Sequence, residues 1–156
     1  LLGQIPNGRA GDSKLRTIVV VTGGFDPLHS GHIEYFKAAR KLGDALIVGI
    51  NSDEWLKRKK GKPFMPADER RAVLEELKSV DAVIEFDDED GTAIDAIKWI
   101  LATNPGDKVI FANGGDRTLD NIPEMVVQSE RLEFVFGVGG EDKKNSSSWI
   151  LQEWKE

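Results

Sequence analysis

Apolar positions along the chain alternate between two kinds of run. Thr17 to Val21 is a β-branched stretch with no polar interruption beyond its first residue, the pattern of a strand covered on both faces. It stops at Gly23-Gly24. Ile33, Phe36, Ala39 and Leu42 then recur every three residues, which predicts a helix, and Gly43 stands where a helix C-cap glycine would sit. Ala45 to Ile50 predicts a second buried strand, ending at Asn51-Ser52-Asp53. A short helical piece around Glu54 to Leu56 leads into a basic loop, and Pro66 opens another helix with Val73, Leu74 and Leu77 on its apolar face. Ala82 to Phe86 reads as a third strand, followed by the acidic stretch Glu85 to Asp90 as a solvated loop. Ala93, Ile94, Ile97 and Leu101 mark the next helix. Lys108 to Ala112 and Leu132 to Phe136 are the fourth and fifth strands, and Ser146 to Trp154 is a last helix.

Strands alternating with helices predict an α/β fold, a Rossmann-like doubly wound parallel sheet of five strands with helices on both faces. In such sheets ligands sit beyond the carboxyl ends of the strands. That rule selects the segments after Val21, Ile50, Ala112 and Phe136. The 156 residues suit one domain, expected over 17–156, after a flexible tail at 1–16 rich in Gly, Asn, Asp, Ser and Pro. No internal repeat interrupts the pattern.

Composition narrows the chemistry. The chain has no cysteine, which excludes disulfides, thiolate metal sites and cysteine nucleophiles and fits a reducing compartment such as the cytoplasm. No apolar run approaches the roughly 20 residues of a membrane span. A net charge of −6 disfavours nucleic acid as the main partner. Basic residues nonetheless concentrate at Lys57, Arg58, Lys59, Lys60 and Lys62, so a small anionic substrate remains in play, although such a run is more often a solvated loop.

The segment with the most chemistry is Gly23-Gly24-Phe25-Asp26-Pro27-Leu28-His29-Ser30-Gly31-His32. It follows the first strand and opens the first helix. Glycines let a backbone approach an anion closely, and a helix N-terminus offers free N–H groups and a positive dipole end to phosphate. His29 and His32 are the chain's only histidines. With a first helical turn beginning near Ser30, both imidazoles reach the same side of it. Two donors there can hold the oxygens of a reacting phosphate as negative charge builds. Two histidines alone lack a third ligand, so a zinc site is not expected.

This segment resembles the G-x-F-D-x-x-H-x-G-H signature of the cytidylyltransferase-like nucleotidyltransferase superfamily, and the likeness runs from about Thr17 to about Trp154. The resemblance implies that His29 and His32 contact NTP phosphates and stabilise a pentacoordinate phosphorus, with direct attack by an acceptor phosphate and no covalent enzyme intermediate. It implies contacts from Gly23, Gly24, Phe25 and Gly31 to the triphosphate or acceptor, and Mg²⁺ bound through the NTP phosphates. Asp26 is either a metal or substrate contact or a solvent-facing turn residue. Relatives bind phosphate with a basic residue before the third helix, best matched by Lys62 and next by Lys59 and Lys60, and with an arginine in that helix. Arg70 lies on the buried side with Leu74, whereas Arg71 points further toward solvent. A buried-side arginine needs an anionic partner, either a phosphate or a local carboxylate.

Asn113-Gly114-Gly115-Asp116-Arg117 resembles the K-G-G-D segment of heptose 1-phosphate adenylyltransferases and the M-G-D-D segment of glycerol-phosphate cytidylyltransferases, which implies a nucleoside against Gly115 and Asp116. Asn113 replaces the heptose enzymes' usual lysine. Ser146-Ser147-Ser148 matches a phosphate-binding serine segment of relatives, although hydroxyls at a helix start also serve as caps. The acceptor pocket is expected to draw on Asn51, Trp55 and Asn113. The layout is most similar to the heptose 1-phosphate adenylyltransferases, apart from the Thr22-Gly23-Gly24 entry and the Gly137-to-Lys144 stretch. The resemblance therefore implies ATP and a sugar phosphate. The alternatives are a cytidylyltransferase using CTP with glycerol 3-phosphate or a similar phosphate, and a nucleotide-binding module without catalysis. A homodimer is common in the resembled families. Trp55, Trp99, Trp149 and Trp154 fall at helical positions and read as core or interface packing.

Overall fold

A computed structural model describes residues 15–115, 122–139 and 147–155, without the side chains of 147–149 and 155. Five strands form one parallel sheet: β1 (Thr17–Gly23), β2 (Ala45–Ile50), β3 (Ala82–Glu85), β4 (Lys108–Ala112) and β5 (Leu132–Val135), in the order β3-β2-β1-β4-β5. The order reverses between β1 and β4. The crevice at the carboxyl end of β1 is thus the topological switch point.

Alternate residues of the same strands feed two cores. Ile18, Val20, Ile47, Ile84, Val109 and Phe111 face α4 (Ile94–Thr103), which buries Ala96, Ile97 and Ile100 against them. Val19, Val21, Leu46, Val48, Val83 and Ile110 face α1 (Ser30–Arg40) and α3 (Ala67–Glu75), which contribute Phe36, Ala39 and Leu74. The period-2 geometry of a strand splits one apolar run between two helical layers, which is why β2 is buried at every position. Two further helices complete the described chain, α2 (Asp53–Lys60) and α5 (Ser147–Lys155), with a 3₁₀ turn at Pro123–Val126.

Several local expectations are corrected. Gly43 is not the C-cap of α1; Lys41 is, in an ordinary right-handed conformation. Gly43 is required for space instead, since a Cβ there would lie 2.7 Å from the Thr17 carbonyl oxygen. Leu42 lies beyond the helix and is exposed. The basic run from Lys57 to Lys60 is not a loop. It forms the last turn of α2, where cations complement the carbonyl end of the helix dipole, and Gly61 ends that helix at φ +95°. Val73 is exposed, leaving Leu74 and Arg70 as the buried side of α3. The acidic stretch is not uniformly solvated, because Asp88 is buried. Trp99 and Trp154 are exposed, so of core or interface packing only the second is left open to them.

Candidate active site

The loop leaving β1 is held open by an inward-facing ring. Phe25 sits at φ +51°, a costly conformation for a residue with a Cβ. Its ring is buried edge-on against Phe36 and His32, with centroids 5.1 and 5.0 Å away. Aromatic burial offsets the backbone strain and turns the chain sharply into α1. An Asp26–Pro27 cis peptide follows.

His29 is the N-cap of α1, and its Nδ1 accepts the Gly31 N–H at 3.1 Å. The His32 side chain reaches back, its Nδ1 accepting the His29 N–H at 3.2 Å. The two histidines thus form a reciprocal capping box. Their rings stack at 3.7 Å on one side of the first turn. This pairing fixes the tautomers: a neutral imidazole whose Nδ1 accepts must carry its proton on Nε2. Burial, and after it the neighbouring His29, pushes the His32 pKa from 6.5 down to about 3. His32 is therefore a neutral Nε2–H donor across the physiological range. The site can meet phosphate oxygens with this donor, with the Nε2–H of His29, and with the amino end of α1.

The neighbouring segments lock onto this loop through buried charged groups. Arg70 is 1% exposed. Its Nε donates to Met65 O at 2.9 Å, Nη1 to Gly24 O at 3.0 Å and Asn51 O at 2.8 Å, and Nη2 to Asp53 Oδ1 at 2.8 Å. Of the two partners open to Arg70, the local carboxylate is the one this structure contains, together with the carbonyl of the glycine loop. Asp26 is not a solvent-facing turn residue. It is buried, and its carboxylate accepts the Phe64 and Met65 N–H groups at 2.6 and 2.7 Å. Lys60 donates to Asp26 O at 2.7 Å. Asp26 therefore ties the loop after β1 to the 61–66 segment, which carries the exposed Lys62.

On the other flank, Tyr35 of α1 donates to Ala112 O at 2.7 Å and packs against Gly114, placing the end of β4 beside the same helix. Gly115 follows at φ +63°. Asn113 is buried with its Nδ2 turned toward Phe111 O and Val135 O at 3.2 and 3.4 Å, where it joins β4 to β5. Asp116 and Ser146 lie outside the described residues, and Ser147 and Ser148 open α5 without described side chains. Trp154 of α5 meets Phe64 edge-on at 6.3 Å. Trp55 is half-buried, with Lys59 Nζ 4.6 Å over its ring.

Sequence reasoning missed Asp88. Its Oδ2 accepts from Asn51 Nδ2 at 3.0 Å and Ser52 N at 2.8 Å, and its Oδ1 from Ser52 Oγ at 2.7 Å. Arg58 donates to its carbonyl at 3.0 Å. Its only signal was its place three residues beyond the end of β3. Among the described residues no group of three His, Cys, Asp or Glu is arranged to hold a metal. No described helix is long and apolar enough to cross a membrane.

An open parallel sheet, a loop bridging from its central strand to a helix, and a paired-imidazole cap at that helix's start are the arrangement of the Rossmann-like nucleotidyltransferase class. A family model described as cytidylyltransferase-like matches residues 20–151, and the chain belongs to that family of nucleotidyltransferases. It is 34% identical over 146 residues to the bifunctional protein HldE of Geobacter sulfurreducens, covering 90% of this chain and 28% of that protein. It is 35% identical over 144 residues to the bifunctional protein HldE of Vibrio vulnificus, covering 85% of this chain and 30% of that protein. The chain thus spans under a third of the length of these curated relatives. Among solved structures, a lipopolysaccharide core biosynthesis protein from Thermoplasma volcanium GSS1 superposes with a TM-score of 0.61 at 28% identity, covering 81% of this chain and 99% of that one.

Proposed function

We propose that this domain transfers AMP from ATP to a sugar phosphate and releases pyrophosphate. A phosphate oxygen of the acceptor attacks the α-phosphorus, and a new P–O bond forms as the bond to the bridging oxygen of the β-phosphate breaks. Pyrophosphate leaves with that electron pair. The observation that carries the reading is the stacked pair His29 and His32, each with its Nδ1 taken by a backbone N–H. Neither ring is then set up as a general base. Both are donors, which suits a reaction whose nucleophile is already an anion and whose difficulty is charge growing on phosphate oxygens.

Mg²⁺, carried in with the triphosphate, would supply charge neutralisation for it. The carboxylates fit that arrangement rather than a protein cage: Asp26, Asp53 and Asp88 are each engaged by N–H or O–H donors. The sugar-phosphate acceptor is supported by the resemblance of the Asn51, Lys62-Pro63, Glu69-Arg70 and Gly114-Gly115-Asp116 segments to the heptose 1-phosphate adenylyltransferases, and by a lipopolysaccharide core biosynthesis protein among the similar solved structures. The β4 side, with Gly114, Gly115 and Asp116, is assigned to the nucleoside, and the β2 side, with Asn51, Trp55 and Lys62, to the acceptor. The net charge of −6 supports a partner other than nucleic acid; a cytoplasmic homodimer without a membrane partner is part of the same proposal. A panel of ATP, CTP, GTP and UTP with heptose 1-phosphate and glycerol 3-phosphate, read by pyrophosphate release, tests the proposal. Turnover with ATP and the sugar phosphate is expected. Turnover with CTP alone would overturn it.

A further inference from the structure

We propose that Asp88 is a positioning residue for the acceptor side of this site, an inference that rests on the adenylyltransferase reading above. The residue lies in an acidic loop after β3 and is 4% exposed, with three donors converging on its carboxylate. A buried carboxylate accepting three hydrogen bonds is a firm anchor, because releasing it leaves buried donors without a partner. What it anchors is the corner between β2 and α2. Ser52 donates two of the bonds, from its N–H and its Oγ–H, and is also the N-cap of α2, its Oγ accepting the Trp55 N–H at 3.0 Å. Asn51 supplies the third donor, and its carbonyl accepts from Arg70, whose same Nη1 also holds the Gly24 carbonyl.

The anchored corner forms one wall of the crevice. The first turn of α2 lies directly against the phosphate loop: a Cβ at Gly24 would be 3.0 Å from Leu56 Cδ2 and 3.8 Å from Trp55 Cζ3. Asp88 thus sets where Asn51 and Trp55 stand relative to Gly24 without touching a substrate. This wall belongs to β2 and β3, on the side of β1 away from β4 and the Gly114-Gly115 turn. Displacing it should loosen acceptor binding and leave the nucleotide side and the imidazole pair intact.

The test compares Asp88→Ala with wild type by steady-state kinetics and by amide hydrogen exchange. Asp88→Ala should raise KM for heptose 1-phosphate about tenfold, with KM for ATP and kcat changed less than about twofold. Exchange should quicken at Ser52 to Leu56 and stay unchanged over residues 30–40. Asp88→Asn should restore most of the affinity, since its amide can accept from Asn51 and the Ser52 N–H and donate to Ser52 Oγ. If Asp88→Ala does not fold, Ser52→Ala, which removes one arm of the anchor, should shift the same KM less far. Unchanged exchange over Ser52 to Leu56, or a kcat loss or ATP KM rise as large as the acceptor effect, would overturn the proposal. Absence of wild-type turnover with any NTP would overturn the function instead, and the exchange comparison would still decide whether Asp88 holds this wall.

Discussion

Each imidazole of the pair gives its Nδ1 lone pair to a backbone N–H, so each is left with one role, donation from Nε2. His32→Ala removes one of two donors and should lower turnover by about a hundredfold or more while ATP binding, measured by calorimetry, stays largely intact. Loss of ATP binding in parallel with turnover would assign His32 to ground-state binding instead. The depressed His32 pKa also has a stability consequence. The unfolded chain takes up a proton at this histidine as pH falls through 6.5, while the folded chain keeps it neutral down to about 3. Protonation therefore favours unfolding across that window: the stability is complete above pH 6.5 and declines toward pH 3. Urea unfolding at pH 7.5 and pH 5 should show a smaller pH difference in His32→Ala than in wild type. The histidines were legible in sequence because spacing and position after a glycine loop marked them. Asp26 and Asp88 were not, because a carboxylate beside a turn or in an acidic run reads the same whether it meets water or a set of buried N–H groups.

At the scale of elements, all five strands were legible to within about two residues, since β-branched runs bounded by polar corners leave little choice. Helix ends were harder. The basic run after Leu56 looked like a loop by composition, yet four cations at the carbonyl end of α2 extend the helix. Gly43 had the position of a cap but serves as a gap between α1 and β1. Gly43→Ala would press a methyl group against the Thr17 carbonyl and the Val19 side chain. It should destabilise the fold by about 1–3 kcal/mol, as overpacking does, measured by chemical denaturation. An unchanged midpoint would mean that the turn has room to move. Arg70 shows the limit of helical periodicity. The pattern placed it on the buried side, but only the fold could reveal that Gly24, Asn51, Asp53 and Met65 meet its guanidinium.

For the whole molecule, the strand order places the switch point at β1, and everything gathered there converges on one crevice: the imidazole cap, the Arg70 brace, the Asp26 tie to the 61–66 segment and the Gly114-Gly115 turn beside Tyr35. Alternation of strands and helices made the architecture readable, because a parallel sheet leaves few other topologies. The convergence was not readable, since it joins residues dozens of positions apart through backbone carbonyls that any sequence carries. The most direct test of the account is a crystal structure with a non-hydrolysable ATP analogue and Mg²⁺. The account predicts triphosphate oxygens within about 3.2 Å of Nε2 on both His29 and His32, at the amino end of α1. A triphosphate bound elsewhere, or histidines that meet it through Nδ1 after leaving the capping box, would contradict it.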